Sequence, residues 1–262
     1  MKAIILAGGL GTRLGKYTKN LPKCMLDFDG KSLLERQIET YKSCGINDII
    51  VTRKHLKDKI NIPGIRYDDK EEDGTNMVAD FMHARSEFDD DIIMSYGDVL
   101  FEPRVLRSVI SSDSSVSVVV DTEWKNYWQE RLGDWREDSE SFIMDDENKV
   151  ISLGKPNPSP EEMNARYVGL IKFSKDALER AQEIYDLEAV NHWETPWYYS
   201  KSFKQAHMTD FIQVLIDNGL DVKAVPVKKG WLEFDTEKDY ELANQWLAKE
   251  NLGRFLKLED GI

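Results

Sequence analysis

The sequence predicts an α/β fold, a mainly parallel sheet with helices on both faces. Three observations carry that prediction. A short apolar run near the N-terminus is delivered straight into a glycine-rich turn, strand-like and helix-like patterns then alternate over the first 120 residues, and 262 residues at 41% hydrophobic content can bury one large core. Strands are expected at residues 2–7, 48–52, 91–95 and 115–120, where apolar residues run together. Between them, residues 32–43 and 75–88 have helical apolar spacing, with Gly45 ending the first helix and Thr75 capping the second. Crossovers between parallel strands should be right-handed. After Asp121 the pattern changes to an aromatic and highly charged stretch, 123–140, that contains Trp124, Tyr127, Trp128 and Trp135. Shorter strands follow at 141–144, 150–153 and 166–173, then helices at 175–185 and 207–218, a strand at 222–226 and a helix at 237–249. The chain has no internal repeat, and the turn-rich stretch 156–160 is too brief to divide it, so residues 1–262 read as one unit.

Composition narrows the partners. With 48 acids against 35 bases and a net charge of -13, the chain is not expected to bind nucleic acid, which needs basic surface to displace counterions. Small anions would also be repelled unless a local basic pocket outweighed the general field. The first 26 residues supply one, with Lys2, Arg13, Lys16, Lys19 and Lys23 and no acid among them. The acid runs 71–73 and 89–91 read as solvated loops or helix ends. Cys24 and Cys44 are too few for a disulfide framework and read as reduced structural thiols, with no cysteine–histidine spacing for zinc. No membrane span is expected and the protein is placed in the cytoplasm, because the run 3–7 is too short for a membrane helix or a secretory segment. The four histidines show no metal spacing, and no sequence elbow marks a covalent nucleophile.

Gly8, Gly9 and Gly11 let the backbone turn sharply and present N–H groups to a ligand, and polyphosphate suits such a turn beside Arg13 and Lys23. Two common fingerprints fail. The dinucleotide pattern meets Gly9 and Gly11 but ends on Leu14, and a P-loop would need glycine at Leu10 and a hydroxyl residue at Tyr17. The run Gly8, Gly9, Leu10, Gly11, Thr12, Arg13, Leu14, followed by Leu21, Pro22, Lys23, resembles instead the signature of nucleotidyltransferases that make activated sugars and related compounds. The resemblance implies a Rossmann-like mixed sheet of the nucleotide-diphospho-sugar transferase type with a small substrate-binding subdomain. It also implies that Leu6, Ala7, Gly8, Gly9, Gly11, Thr12 and Arg13 wrap a nucleoside triphosphate, with Arg13 and Lys23 on its phosphates. The family often has proline where Lys16 stands.

The same resemblance implies two aspartates that hold Mg2+. Asp98 ends the run Ser95, Tyr96, Gly97, Asp98 at the C-terminal end of a strand, where open parallel sheets place ligands, and Asp235 precedes the last helix. Alone, the first would read as a turn cap and the second as a helix cap. Two carboxylates suit magnesium, which takes the rest of its shell from phosphate and water. Neither needs to act as a base, because a phosphate or phosphonate acceptor is already an anionic nucleophile, so catalysis reduces to alignment and charge neutralisation. The reading requires Lys23 and Asp98 to share one cavity. Lys155 matches a lysine that in relatives binds the second substrate's phosphate, although the preceding residue is Gly154 rather than glutamate. Tyr167 and Gly169 match a later strand motif of the same cleft, where the glycine serves either close approach or packing.

The Thr75–Asn76 pair stands where sugar-1-phosphate enzymes of this family have a glycine- and alanine-rich helix start. That region, with 153–155, 167–174 and 208–216, resembles the cytidylyltransferases that activate phosphocholine, aminoalkylphosphonates or, most of all, the phosphorylated glutamine of capsule phosphoramidate synthesis. CTP and a small phosphate or phosphonate acceptor are therefore the expected partners, and a homodimer is possible. Residues 121–165 are expected to form an aromatic lid or insertion over the acceptor. Within it, Trp124 and Trp128, with Trp135, suit a cage for a quaternary ammonium, while Arg131, Arg136 and Glu137 suit a zwitterionic acceptor better; packing is the plain alternative. Two rival functions remain, a sugar-1-phosphate nucleotidylyltransferase and a non-catalytic nucleotide-sensing domain, the second disfavoured by the presence of Arg13, Lys23, Asp98 and Asp235 together.

Overall fold

The computed structural model describes residues 1–71 and 74–258. In chain order, the first half contains β1 (Lys2–Leu6), β2 (Asp27–Phe28), β3 (Lys31–Ser32), α1 (Leu33–Ser43), β4 (Ile49–Arg53), β5 (Arg66–Asp69), α2 (Met77–His83), β6 (Ile92–Tyr96), β7 (Val99–Phe101), α3 (Pro103–Ile110) and β8 (Val116–Asp121). The second half continues with α4 (Lys125–Leu132), β9 (Glu140–Met144), β10 (Val150–Pro156), β11 (Arg166–Phe173), α5 (Lys175–His192), α6 (Met208–Asp217), β12 (Val222–Val227), β13 (Trp231–Glu233) and α7 (Glu237–Ala248).

Seven strands form one sheet in the order β12-β8-β11-β6-β1-β4-β5. All neighbours are parallel except β11, which runs antiparallel to both β6 and β8, so the sheet is mixed as expected. Three antiparallel ribbons, β9 with β10, β7 with β13 and the short β2 with β3, lie outside it. Strand β1 explains why helices cover both faces. Its side chains alternate between two cores, Ala3 and Ile5 entering one, Ile4 and Leu6 the other, with Ala3, Ile4 and Ile5 fully buried. The first core is closed by α1, α3 and α7 through residues such as Leu34, Leu106 and Trp246; the second by α2, α5 and α6 through Phe81, Leu178 and Phe211.

Helix α1 begins where Ser32 and Glu35 cap one another, the Ser32 hydroxyl accepting from Glu35 N at 3.2 Å and the Glu35 carboxylate from Ser32 N at 2.7 Å. Helix α2 is shorter than its apolar spacing suggests. It starts after Asn76 rather than at Thr75, because the Thr75 hydroxyl accepts from Lys70 Nζ at 2.5 Å and is not a helix cap, and it passes into a 3-10 turn at Ala84. Conversely, α5 runs seven residues past the expected 185, to His192.

The aromatic stretch differs most from expectation. Trp124 and Trp128 are 1% and 0% exposed and belong to the first core, so they form no cage and cover no acceptor. Edge-on packing holds them, with ring centroids 6.0 Å apart for Trp124 and Trp128 and 5.5 Å apart for Tyr127 and Trp231. Three large rings on one short helix contribute more apolar area than solvent exposure could tolerate. The acid run 89–91 is an anchor: Asp89 pairs with Lys2 at 2.5 Å, Asp90 with the N-terminal amine, and Asp91 accepts from Lys175 N at 3.0 Å at the start of α5. Of the other run, Glu71 pairs with Lys57 at 2.9 Å, and 72–73 lie outside the described residues. Both cysteines are free thiols, and among the described residues no helix is long and apolar enough to cross a membrane.

Gly169 interrupts the pairing of β11 with β8, at φ +85°, and a Cβ there would stand 2.5 Å from Tyr96 Cδ2. It packs against the Tyr96 ring and also stands on the wall of a cleft. Gly169→Ala is expected to destabilise the fold by about 1–3 kcal/mol, read from urea unfolding, through overpacking against the Tyr96 ring. Trp128→Ala should cost more, about 3–5 kcal/mol, because a fully buried indole leaves a cavity.

Candidate active site

Strand β1 occupies the middle of the sheet, and its ladder continues one step beyond Leu6, with Ala7 N donating to Thr52 O at 3.1 Å and Gly97 N to Leu6 O at 2.9 Å. The chain then leaves the sheet at Gly8. Gly11 takes a left-handed φ of +63°, and Thr18 Oγ1 ties the loop by donating to Gly11 O at 2.8 Å. The loop walls two adjoining spaces. Leu6, Ala7, Gly8, Gly9, Gly11, Arg13 and Lys23 line a cleft of about 410 Å³, while Gly8, Gly9, Gly11, Thr12, Arg13 and Lys23 also border a basin of about 510 Å³ that reaches Thr75. Asn76 touches both.

Asp98 lies between β6 and β7, and Asp235 two residues beyond β13. Their neighbours pair across the ribbon, Val99 opposite Glu233, and Phe234 N donates to Asp98 O at 3.0 Å, which sets the two carboxylates side by side. Lys23 Nζ donates to Asp235 Oδ1 at 2.5 Å and to Asp98 Oδ2, and Arg13 Nη2 is 3.2 Å from Asp235 Oδ1. Lys23 and Asp98 therefore share one cavity. Burial works to lower the Lys23 ammonium, but Asp98 and Asp235 outweigh it and hold its pKa above the ordinary lysine value. Burial likewise works to raise Asp235, and Lys23, then Arg13 and Arg131, hold its carboxyl below the usual range. Asp98 and Asp235 are the pair that could hold a divalent cation. Among the described residues no cluster of three histidine, cysteine or acidic side chains forms a metal site. Of the other basic residues of the N-terminal segment, Lys2 pairs with Glu87 at 3.0 Å and Lys16 with Glu241 at 2.9 Å, both away from the cleft wall.

Beneath the loop, Lys54 Nζ donates to Thr75 O at 3.1 Å and to both oxygens of Asp80, at 2.9 and 3.0 Å. A Cβ on Gly8 would approach Asp80 Oδ2 at 3.1 Å, so this ion pair is the floor on which the glycines rest. Tyr167 lines the cleft and donates to the Tyr96 hydroxyl at 3.2 Å.

Two expected acceptor groups lie elsewhere. Arg131 is 2% exposed and absent from the cleft wall. Its Nε and Nη2 donate to Asp239 at 2.6 and 2.8 Å and its Nη1 to Glu233, while Asp239 Oδ2 accepts from Asp235 N at 3.1 Å and Thr236 N at 2.8 Å. Arg131 thus braces the turn that carries Asp235. Lys155 does not line the cleft either, because its ammonium turns outward to Glu162 Oε1 at 2.7 Å. Residues without a sequence signal take their place, Tyr96, Asp138, Glu140, Arg166, His207 and Thr209. They come from four separate segments, so only tertiary packing could have brought them together.

Residues 3–156 match the family of the MobA-like NTP transferase domain. The chain belongs to this family. It is 34% identical over 254 residues to a CTP:phosphoglutamine cytidylyltransferase of Campylobacter jejuni, covering 92% of this chain and 98% of that protein. Over 124 residues it is 36% identical to a choline-phosphate cytidylyltransferase of Streptococcus pneumoniae, which spans 45% of this chain and 53% of that protein. The inositol-1-phosphate CTP transferase from T. maritima shares the fold at a TM-score of 0.70 and 18% identity, covering 98% of this chain and 97% of that one. The nucleotide-diphospho-sugar transferase architecture and nucleotidyltransferase activity follow from this membership.

Arg131→Met would leave Asp239 and Glu233 buried beside an apolar side chain. It is expected to destabilise the protein by about 3–5 kcal/mol in urea unfolding, the usual effect of removing one partner of a buried ion cluster.

Proposed function

We propose that the chain is a magnesium-dependent cytidylyltransferase that moves CMP from CTP to a small phosphorylated or phosphonate acceptor and releases pyrophosphate. The observation that carries this reading is the convergence of Lys23, Asp98 and Asp235 at the glycine loop. Similarity to enzymes named for CTP supports the choice of nucleotide. The donor set fits magnesium, since two carboxylates already share one cation, the Lys23 ammonium, and the remaining positions can be filled by phosphate oxygens and water. Magnesium bound there would supply positive charge to the triphosphate and the acceptor.

The residues of the chain then have separate tasks. The backbone of Gly8, Gly9 and Gly11 cradles the nucleotide, Arg13 holds the outer phosphates, and Lys23 stabilises charge gathering at the α-phosphorus. An acceptor oxygen forms the new bond to the α-phosphorus as the bond to the bridging oxygen of the β-phosphate breaks, and pyrophosphate leaves in line. No proton moves, so no general base is required. Thr75 and Asn76 border the basin in positions suited to the nucleoside.

Pyrophosphate release measured with each of the four nucleoside triphosphates is expected to favour CTP and to stop when magnesium is chelated. Lys23→Ala should lower kcat by about a hundredfold or more, as loss of a preorganised charge commonly does. An unchanged kcat in that variant would remove Lys23 from the mechanism.

A further inference from the structure

The part of the cleft that the adjoining basin does not share includes Asp138, Glu140, Arg166, Tyr167, His207 and Thr209, together with Glu233, which Arg131 holds and which also feels Arg166 through space. Two opposite charges stand there without neutralising each other. The Arg166 guanidinium carbon lies 4.1 Å from the Trp128 ring centroid, which braces its plane, and Nη1 donates to Asp138 O at 3.0 Å. Its Nε is buried and has no hydrogen-bond partner. An unanswered buried donor on the wall of a cleft carries a desolvation penalty that an acceptor atom of a ligand would remove. Glu140 is the complement. Burial raises its carboxyl above the usual range, with Arg166, then His207 and the Thr209 hydroxyl, only partly offsetting that effect. Among the described residues, no ion pair joins Glu140 to Arg166, which act on one another only through space.

A ligand that answers both groups must carry a cation and an anion in addition to its phosphate. The tryptophan cage expected for a quaternary ammonium is absent: Trp124 is buried, and Trp128 already carries the guanidinium of Arg166 and, at 4.7 Å, that of Arg131, which leaves Tyr96 and Tyr167 as the aromatic rings on the cleft wall. A neutral sugar would leave the charges of Glu140 and Arg166 partly desolvated and uncompensated.

We propose that Glu140 and Arg166 form an acceptor subsite for a zwitterion, Glu140 receiving the ammonium and Arg166 the carboxylate of a phosphorylated α-amino acid derivative. This rests on the cytidylyltransferase reading and names its substrate class. The Arg166 guanidinium becomes the donor group of the site, and the acceptor is held by the end remote from its reacting phosphate. The class of reaction that supplies such a substrate is phosphorylation of an amino acid side chain.

The test is steady-state pyrophosphate release with CTP and magnesium, using phosphorylated glutamine, phosphocholine, 2-aminoethylphosphonate and glucose 1-phosphate as acceptors. The zwitterion should have the highest kcat/KM, by at least about tenfold, because a site built for charged groups rejects analogues that lack them. Glu140→Gln and Arg166→Lys should each raise the KM for the zwitterion about tenfold or more while leaving the KM for CTP unchanged; the lysine keeps a cation over Trp128 but loses the planar fork. Equal or better turnover of phosphocholine or glucose 1-phosphate, or an unaltered acceptor KM in both variants, would overturn the subsite and leave the cytidylyltransferase standing. Absence of pyrophosphate release from CTP with every acceptor would overturn the underlying activity instead.

Discussion

Two carboxylates held around one ammonium organise this molecule. Asp98 and Asp235 are 137 residues apart in the chain but side by side in space, where their like charges repel unless a cation lies between them. Lys23 supplies it, from a loop that also carries Arg13. The cluster draws together the N-terminal loop, the end of β6 and the turn before α7, so three distant segments have one common contact. The ribbon of β7 and β13 sets the spacing, and the buried Arg131–Asp239 pair fixes the turn behind Asp235. A charged centre thus rests on a second layer of charges that never meets the cleft.

That second layer depends on apolar packing. Helix α4 brings Arg131 to Asp239 only because Trp128 and Tyr127, on the same helix, are sunk against Trp231. The aromatic residues therefore act on the active centre at one remove. Trp128 contributes twice, since its ring packs in the core and also supports Arg166 at the cleft wall. Core and site share side chains here, which ties the geometry of the cleft to the stability of the fold.

The cleft divides by chemistry. The glycine loop, Arg13 and Lys23 form a wall of backbone N–H groups and cations suited to phosphate, and the opposite portion presents Glu140 and Arg166 together. Arg13 and Lys23 are themselves paired with Asp98 and Asp235 there, so their charge is balanced locally until a ligand enters. The wider acidic surface has other partners, including the Lys2 and N-terminal pairings that pin β1 at its start.

The alternation of strands and helices, the sheet buried on both faces and the glycine loop with Arg13 and Lys23 were legible in the sequence, because each depends on residues close together in the chain. Asp98 was legible for a similar reason, as the end of a strand, whereas Asp235 stood out only through the family resemblance, since alone it reads as a helix cap. The placement of Trp124, Trp128, Arg131 and Lys155 was not. A tryptophan or an arginine reads the same in sequence whether it faces a ligand or a core, and what separates the two cases is which distant element packs against it: Trp231 for the rings, Asp239 for Arg131, Glu162 for Lys155. Glu140, Arg166 and His207 likewise became neighbours only when β9, β11 and the start of α6 met at one cleft, since the proximity of charges from separate segments is a property of tertiary packing alone.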